Sequence, residues 1–360
     1  MRIVHIINSL ESGGAEKLLL DTLPLYKKKK VTVDLLVLNG FNYPFMKALR
    51  SLNCCSIYSL NFGSAYNPLA ILKIIPLLKK YDIAHVHLFP TQYWVVIAKL
   101  LSGSKIKLVY TEHSTSGRRI NSRFFQRLDP YFYKRYNKII AISEAVATVI
   151  QKHTGLGHAV ELIPNGVLLE TFRNSKPTHR STLFPGSDSS LKTIIQIASF
   201  KEPKDQKTVI RSLLYLPTEV QLVLVGDGEL KNDCINLVNE LKLSQRVVFL
   251  GIRLDVPELI KMADIVIISS KYEGFSLAAV EGMAAGKPVI ATNVAAVNTL
   301  VDGAGILFKE GDAEQLAAEV IKLVDNEMYY QAIAKKCSLR AKQYDIDSMV
   351  DKQIELYKKL

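Results

Sequence analysis

Glu273 and Glu281 frame the segment of this 360-residue chain best suited to chemistry, Glu273-Gly-Phe-Ser-Leu-Ala-Ala-Val-Glu281. Ser276 is a good helix N-cap, and the turn after it, residues 277–280, carries no acidic side chain. Most helices place Asp or Glu there to answer the exposed N–H groups and the positive end of the dipole. Left unanswered, that end suits an external anion such as a phosphate, and Gly274 lets a ligand approach the backbone closely. Glu281 lies too deep to cap the helix, and Glu273 stands just before it. A carboxylate beside a phosphate cradle accepts two hydrogen bonds from a vicinal diol. These residues suit a sugar carried on a diphosphate.

The elements that position this segment are legible on either side. Residues 263–270 are an apolar run bounded by turn signals, which predicts a buried strand. Gly286-Lys-Pro288 stops the helix, and a second strand begins at Val289. Over the whole chain such runs alternate with segments of helical period, which predicts parallel α/β layers. The first-half strands are expected at 3–7, 31–38, 83–87, 107–111, 138–142 and 160–163, and the second-half strands at 193–198, 221–225, 246–250, 265–269 and 289–292. Residues 171–191, rich in Ser, Pro, Thr, Asn and Gly, read as a linker or surface loop. The expectation is two Rossmann-like doubly wound domains, residues 1–170 and 171–342, with a cleft between them. In the last stretch, 343–360, Ile346, Met349, Val350, Ile354 and Tyr357 form one apolar stripe at helical spacing, so this tail packs on something.

The net charge of +12 belongs wholly to the first half. Residues 1–170 hold 22 Lys and Arg against 10 Asp and Glu, whereas 171–360 hold 24 of each. The densest basic stretch contains Arg118, Arg119, Arg123, Arg127, Lys134, Arg135 and Lys138, interleaved with Phe124, Phe125, Leu128, Tyr131, Phe132 and Tyr136. Basic residues mixed with aromatics suit an anionic surface: a phospholipid leaflet, a lipid pyrophosphate or nucleic acid. A membrane leaflet is the preferred expectation over a solvated basic helix, and nucleic acid is not expected. For the four lysines at 27–30, a solvated loop is the better reading. No run reaches the ~18 apolar residues of a membrane span, and the first residues read as a strand rather than a signal segment. Cys54, Cys55, Cys234 and Cys337 lack metal or disulfide spacing and read as reduced core thiols.

With these pieces placed, the chain resembles a retaining glycosyltransferase of the GT-B fold, family 4, also called glycosyl transferases group 1. The likeness is an ordered series rather than one motif. Ser12-Gly13-Gly14-Ala15-Glu16 resembles the family's glycine loop, and Asp82-Ile-Ala-His85-Val-His87 its Asp-x-x-His-x-His strand. Thr111-Glu-His113, Ala141-Ile-Ser143-Glu144 and Ile163-Pro-Asn165-Gly166-Val167 follow in the family's order. Lys204-Asp205, Val225-Gly226-Asp-Gly228 and the paired-glutamate element 273–281 complete it.

The resemblance implies roles. Glu281 would bind the nucleotide ribose and Glu273 hydroxyls of the donor sugar. Backbone N–H groups of Gly274, Phe275, Ser276 and Leu277 would hold sugar and diphosphate. Lys204 would neutralise the leaving diphosphate. Gly13 and Gly14 would let backbone approach the β-phosphate, and His113 would position the reacting sugar. The donor would be a UDP- or GDP-sugar and the acceptor a saccharide, lipid-linked by preference, in cell-surface polysaccharide assembly. The enzyme would sit at the cytoplasmic face of the membrane, and its last helix would cross back onto the first domain. No metal or other cofactor is expected, and the lone Asp-x-Asp, Asp345-Ile-Asp347, reads as solvated surface. One departure stands out: Ser199 occupies the place where the family carries an arginine that helps bind phosphate. Lys201 or Arg253 could substitute.

Taken singly, the same residues have plainer readings. His85 and His87 read as packed strand residues, Lys204 as a surface lysine and Gly13-Gly14 as an ordinary turn. A dinucleotide oxidoreductase is disfavoured, because no GxGxxG follows a strand. A GT-B sugar-nucleotide epimerase and a catalytically idle membrane-bound partner subunit are the alternatives.

Overall fold

Most of the apolar runs become strands buried on both faces, as parallel sheets covered by helices require; the edge run at Val160–Leu162 is the exposed exception. A computed structural model describes residues 1–116, 122–185 and 191–360. Two units emerge, residues 1–166 with 346–360, and residues 167–345.

In the first unit, seven parallel strands run β3-β2-β1-β4-β5-β6-β7. They are β1 (Arg2–Ile7), β2 (Thr32–Val37), β3 (Ile57–Ser59), β4 (Ile83–His87), β5 (Lys107–Glu112), β6 (Lys138–Ala141) and β7 (Val160–Leu162). The order reverses between β1 and β4, which pair in the register His5 to His85. The helix Ile346–Lys358 belongs to this unit and buries Ile346, Met349, Val350, Ile354 and Tyr357. Its buried polar groups are satisfied there too. The Tyr26 hydroxyl donates to Gln353 and lies 3.2 Å from that of Tyr357. Lys29 reaches Asp351 at 2.8 Å and Asp347 at 3.4 Å, so Asp347 is ion-paired rather than simply solvated. The return to the first unit comes at Asp345–Ile346, three residues later than the expected boundary.

The second unit has six parallel strands in the order β10-β9-β8-β11-β12-β13. They are β8 (Lys192–Ile197), β9 (Val220–Val225), β10 (Val247–Phe249), β11 (Ile265–Ile268), β12 (Val289–Thr292) and β13 (Ile306–Phe308). Here the order reverses between β8 and β11. In doubly wound sheets, ligands bind beyond the carboxyl ends of the two strands at this reversal.

Candidate active site

In the second unit, two loops meet beyond the reversal. Lys204 closes the 3-10 turn Glu202–Lys204 after β8, and Glu273 follows β11. Lys204 Nζ lies 2.5 Å from Glu273 Oε1, which also accepts the Ser270 hydroxyl at 2.9 Å. The Lys204 and Glu273 side chains are 25% and 11% exposed, so the pair is reachable from solvent. The loop beneath is fixed from its backbone. The Lys204 carbonyl accepts from Gln196 Nε2 and from Ser269 Oγ, both at 2.9 Å. Asp205 takes the left-handed conformation, φ 44°, and its carboxylate accepts the Thr208 hydroxyl at 2.6 Å.

The helix after Glu273 runs Leu277–Ala284, with Ser276 Oγ accepting the Ala279 N–H at 3.3 Å. Its first turn carries no acidic residue. Gly274, Phe275 and Ser276 are buried, and the Phe275 ring packs edge-on against Tyr344 at 5.4 Å. Phe275 therefore offers its backbone, not its ring. Glu281 is only 6% exposed, as expected of a carboxylate turned inward. The helix sits hard on the sheet, since a β-carbon on Gly282 would lie 2.8 Å from Val266 Cγ2.

A third loop, after β9, closes on the end of β8. Gly226 and Gly228 have φ of +132° and +155°. A β-carbon there would come 2.1 Å from the Ala198 carbonyl oxygen and 2.5 Å from that of Phe200. Only glycine permits this approach, which brings the loop against Ser199. Of the two candidates to replace the arginine absent at Ser199, Arg253 is held bidentately by Asp255, at 2.7 and 2.5 Å. Lys201 is exposed and forms no ion pair among the described residues.

In the first unit, the helix Gly14–Lys28 begins at Gly13 with no side-chain cap. A β-carbon on Gly13 would lie 2.4 Å from Glu16 Oε2, so this helix start, unlike the one at Leu277, meets the chain's own carboxylate. His113 follows β5, and its loop is tied down by Glu112. The Glu112 carboxylate accepts the Tyr133 hydroxyl at 2.5 Å, the His113 N–H at 3.1 Å and the Ser114 N–H at 3.3 Å. Behind His113 lies a file of buried histidines. His113 Nε2 is 3.1 Å from His87 Nδ1, and His87 Nε2 is 3.0 Å from His5 Nδ1. His85 sits between Thr111 Oγ1 at 2.6 Å and the Tyr357 hydroxyl at 2.5 Å. Burial penalises the imidazolium form of all four. It pushes His5 down to about 3 and His113 to about 4, and holds His85 and His87 well below the usual range.

Two family models match the chain, "Glycosyltransferase Family 4" over residues 12–171 and "Glycosyl transferases group 1" over residues 183–343. The chain belongs to the family 4, group 1 glycosyltransferases. It is 28% identical over 307 residues to the Escherichia coli UDP-Gal:alpha-D-GlcNAc-diphosphoundecaprenol alpha-1,3-galactosyltransferase, covering 80% of this chain and 78% of that protein. It is 27% identical over 261 residues to the Bacillus anthracis N-acetyl-alpha-D-glucosaminyl L-malate synthase, covering 71% and 68%. Among solved structures, Anabaena HepE in complex with UDP and glucose aligns over 100% of both chains with a TM-score of 0.87 at 22% identity, a likeness of fold.

The glycosyltransferase carries its basic face mainly on the helix Arg123–Tyr133 and the residues just after it. Arg123, Arg127, Lys134 and Arg135 are exposed there, with Phe124 66% exposed and the Arg135 guanidinium 4.4 Å from the Tyr131 ring centre. Phe132 and Tyr136, expected among the same interleaved aromatics, are buried instead. Arg118 and Arg119 lie outside the described residues. None of the described helices is long and apolar enough to cross a membrane.

The sequence reading missed Glu112, His5 and Tyr357 as parts of a site. Glu112 was visible only as the middle residue of Thr111-Glu-His113. His5 lies in an apolar run, and Tyr357 was counted in an apolar stripe.

Proposed function

We propose that this protein is a retaining hexosyltransferase that moves a sugar from a UDP- or GDP-sugar to a lipid-linked saccharide at the cytoplasmic face of a membrane. The observation that carries this is the Lys204–Glu273 pair, standing beyond the β8/β11 reversal beside a helix start with no acidic first turn. Glu281 takes the ribose diol of the nucleotide. Glu273 takes hydroxyls of the donor sugar, and the backbone N–H groups of Gly274, Phe275, Ser276 and Leu277 hold sugar and diphosphate. Binding hands the Lys204 ammonium from Glu273 to the diphosphate. Charge on the leaving group then grows against a cation already in place, which favours the transition state over the bound substrate.

In this reaction the bond from the anomeric carbon to the diphosphate oxygen breaks as the acceptor oxygen bonds to that carbon from the same face. The acceptor proton passes to the departing phosphate oxygen. His113 positions the sugar, Gly13 and Gly14 approach the β-phosphate, and Lys201 supplies positive charge in place of the arginine absent at Ser199. The lysine and the helix start provide the charge that a metal would otherwise supply. The lipid-linked acceptor is supported by the diphosphoundecaprenol substrates named for the E. coli enzyme and for two Campylobacter jejuni relatives. Arg118, Arg119, Arg123, Arg127, Lys134 and Arg135 would meet the anionic leaflet that carries it, with no role for nucleic acid.

The test is incubation with a panel of UDP- and GDP-sugars, with and without an undecaprenyl-diphosphate-linked N-acetylhexosamine. Nucleoside diphosphate release that requires the acceptor, with α-linked product from an α-linked donor, is expected. Interconversion of the sugar without release would mark an epimerase, and inertness toward every donor an idle subunit.

A further inference from the structure

The histidine file fixes more than the packing of the first sheet. Its outer member, His113, is half-buried, and its Nδ1 has no partner among the described residues. Its inner end is His5 Nε2, fully buried and without a hydrogen-bond partner. Between them run two ring-to-ring hydrogen bonds, His113 Nε2 to His87 Nδ1 and His87 Nε2 to His5 Nδ1.

Three neutral rings carry three ring protons. His87 has one of them, so it donates one of the two bonds and accepts the other. Only two arrangements meet that condition. In the first, every proton points outward: His5 Nδ1–H donates to His87, and His87 Nδ1–H donates to His113. His113 then carries its proton on Nδ1. In the second, every proton points inward, and His5 Nε2–H is left as a buried donor with no acceptor. A buried lone pair without a donor is the cheaper defect, whereas orphaned buried N–H groups are rare. A doubly protonated His87 donating both ways is excluded by its burial and by its packing against two other rings, at 4.4 Å from His85 and 5.2 Å from His5.

We propose that His5 and His87 are positioning residues that lock His113 in the Nδ1–H tautomer, so that it meets its substrate as a hydrogen-bond donor and not as a base. The group it would serve is an acceptor oxygen, such as a hydroxyl or ring oxygen of a bound sugar. That last identification rests on the glycosyltransferase reading; the tautomer does not. The ring nitrogens of His5, His85 and His87 also lie within 4.8 Å of one another, a spacing compatible with a metal. Both nitrogens of His85 and of His87 are already hydrogen-bonded, so the cluster holds protons in place of an ion.

The experiment is long-range ¹H–¹⁵N correlation of the ring-labelled full-length protein at neutral pH, with the seven histidines assigned by substitution. Neutral His113 with its proton on Nδ1 is expected. In His5→Phe that preference should collapse toward Nε2–H. His5→Asn, whose amide nitrogen replaces Nδ1 as the donor, should keep it. Should the purified enzyme transfer sugar, kcat is expected to fall about 10-fold in His5→Phe and to recover in His5→Asn, the scale on which partners that orient a histidine act. Native His113 protonated on Nε2 would overturn the proposal, as would stoichiometric zinc removed by chelation. So would an unchanged His113 tautomer in a folded His5→Phe. Absence of sugar transfer with the expected tautomers would overturn the functional reading alone.

Discussion

The Lys204 ammonium and the Glu273 carboxylate stand 2.5 Å apart across the two loops that leave β8 and β11. In the free protein each answers the other's charge. If the proposed donor binds here, its diphosphate competes with Glu273 for the lysine, and its claim strengthens as the leaving group gains charge. Lys204→Ala should therefore depress kcat more than donor affinity, with kcat down by on the order of 10²–10³, as when one preorganised charge-stabilising group is removed. Steady-state kinetics beside donor titration checks this. Equal losses in kcat and affinity would make Lys204 a ground-state binder only.

Glu281 is buried within the helix Leu277–Ala284. If it receives the ribose diol, Glu281→Ala removes two hydrogen bonds to a charged acceptor at once. At about 1.5–3 kcal/mol each, donor affinity should fall at least 100-fold. Calorimetric titration with UDP and GDP measures it. Normal nucleotide affinity in the folded variant would move the ribose elsewhere.

The buried histidines set a pH window for stability. Their folded pKa values lie below the ordinary 6.5, so between that value and the folded one the unfolded chain binds more protons. Stability is thus complete above pH 6.5 and lost as pH falls, by up to about 1.4 kcal/mol per pH unit for each histidine. For His5, pushed down to about 3, acidification to pH 5 costs about 2 kcal/mol, and burial of His85 and His87 acts in the same direction. The urea midpoint should fall steeply from pH 7 to pH 5, and less steeply in His5→Phe. A flat profile would mean that these rings charge without unfolding.

Much of this arrangement was legible in the residues. Eleven strands were expected close to where they lie, because a strand covered on both faces needs an unbroken apolar run. β3 and β13 escaped; both are three-residue strands at sheet edges, as are β7 and β10, which were expected. The Ser276 cap, the first turn without an acidic residue and the inward Glu281 were read correctly because N-caps and charge in the first turn are local signals. The ion pair between Lys204 and Glu273 was not, since it joins residues 69 apart. His5, His87 and His113 escaped as a group for the same reason. A histidine inside an apolar strand shows nothing of its neighbours until strand order places β1 beside β4 and β4 beside β5.

Lys201 is the proposed substitute for the arginine that the resemblance expects at Ser199, because Arg253 is paired with Asp255. Lys201→Ala should weaken nucleoside diphosphate binding about 5- to 10-fold, in line with one partly exposed charge-assisted contact. Ser199→Arg should restore the loss. Arg253→Ala, by contrast, should leave nucleotide affinity unchanged. A reversed ranking of the two variants would assign the compensating charge to Arg253.

The exposed face of the helix Arg123–Tyr133 combines Arg123 and Arg127 with Phe124, and Lys134 and Arg135 follow it. Its inner side is held by Asp129, which is buried and lies 2.5 Å from His153 Nε2. Outward substitutions should therefore spare the fold. Each basic residue near an anionic leaflet contributes about 1 kcal/mol, and screening shortens its reach to about 8 Å at physiological salt. The protein should sediment with vesicles rich in anionic lipid, not with neutral ones, and release as salt rises. Reversing Arg123, Arg127 and Lys134 to Glu removes at least 3 kcal/mol, enough to cut partitioning by about 100-fold. If the triple variant binds as before, the anionic surface meets some other face, and these residues are only a solvated helix side.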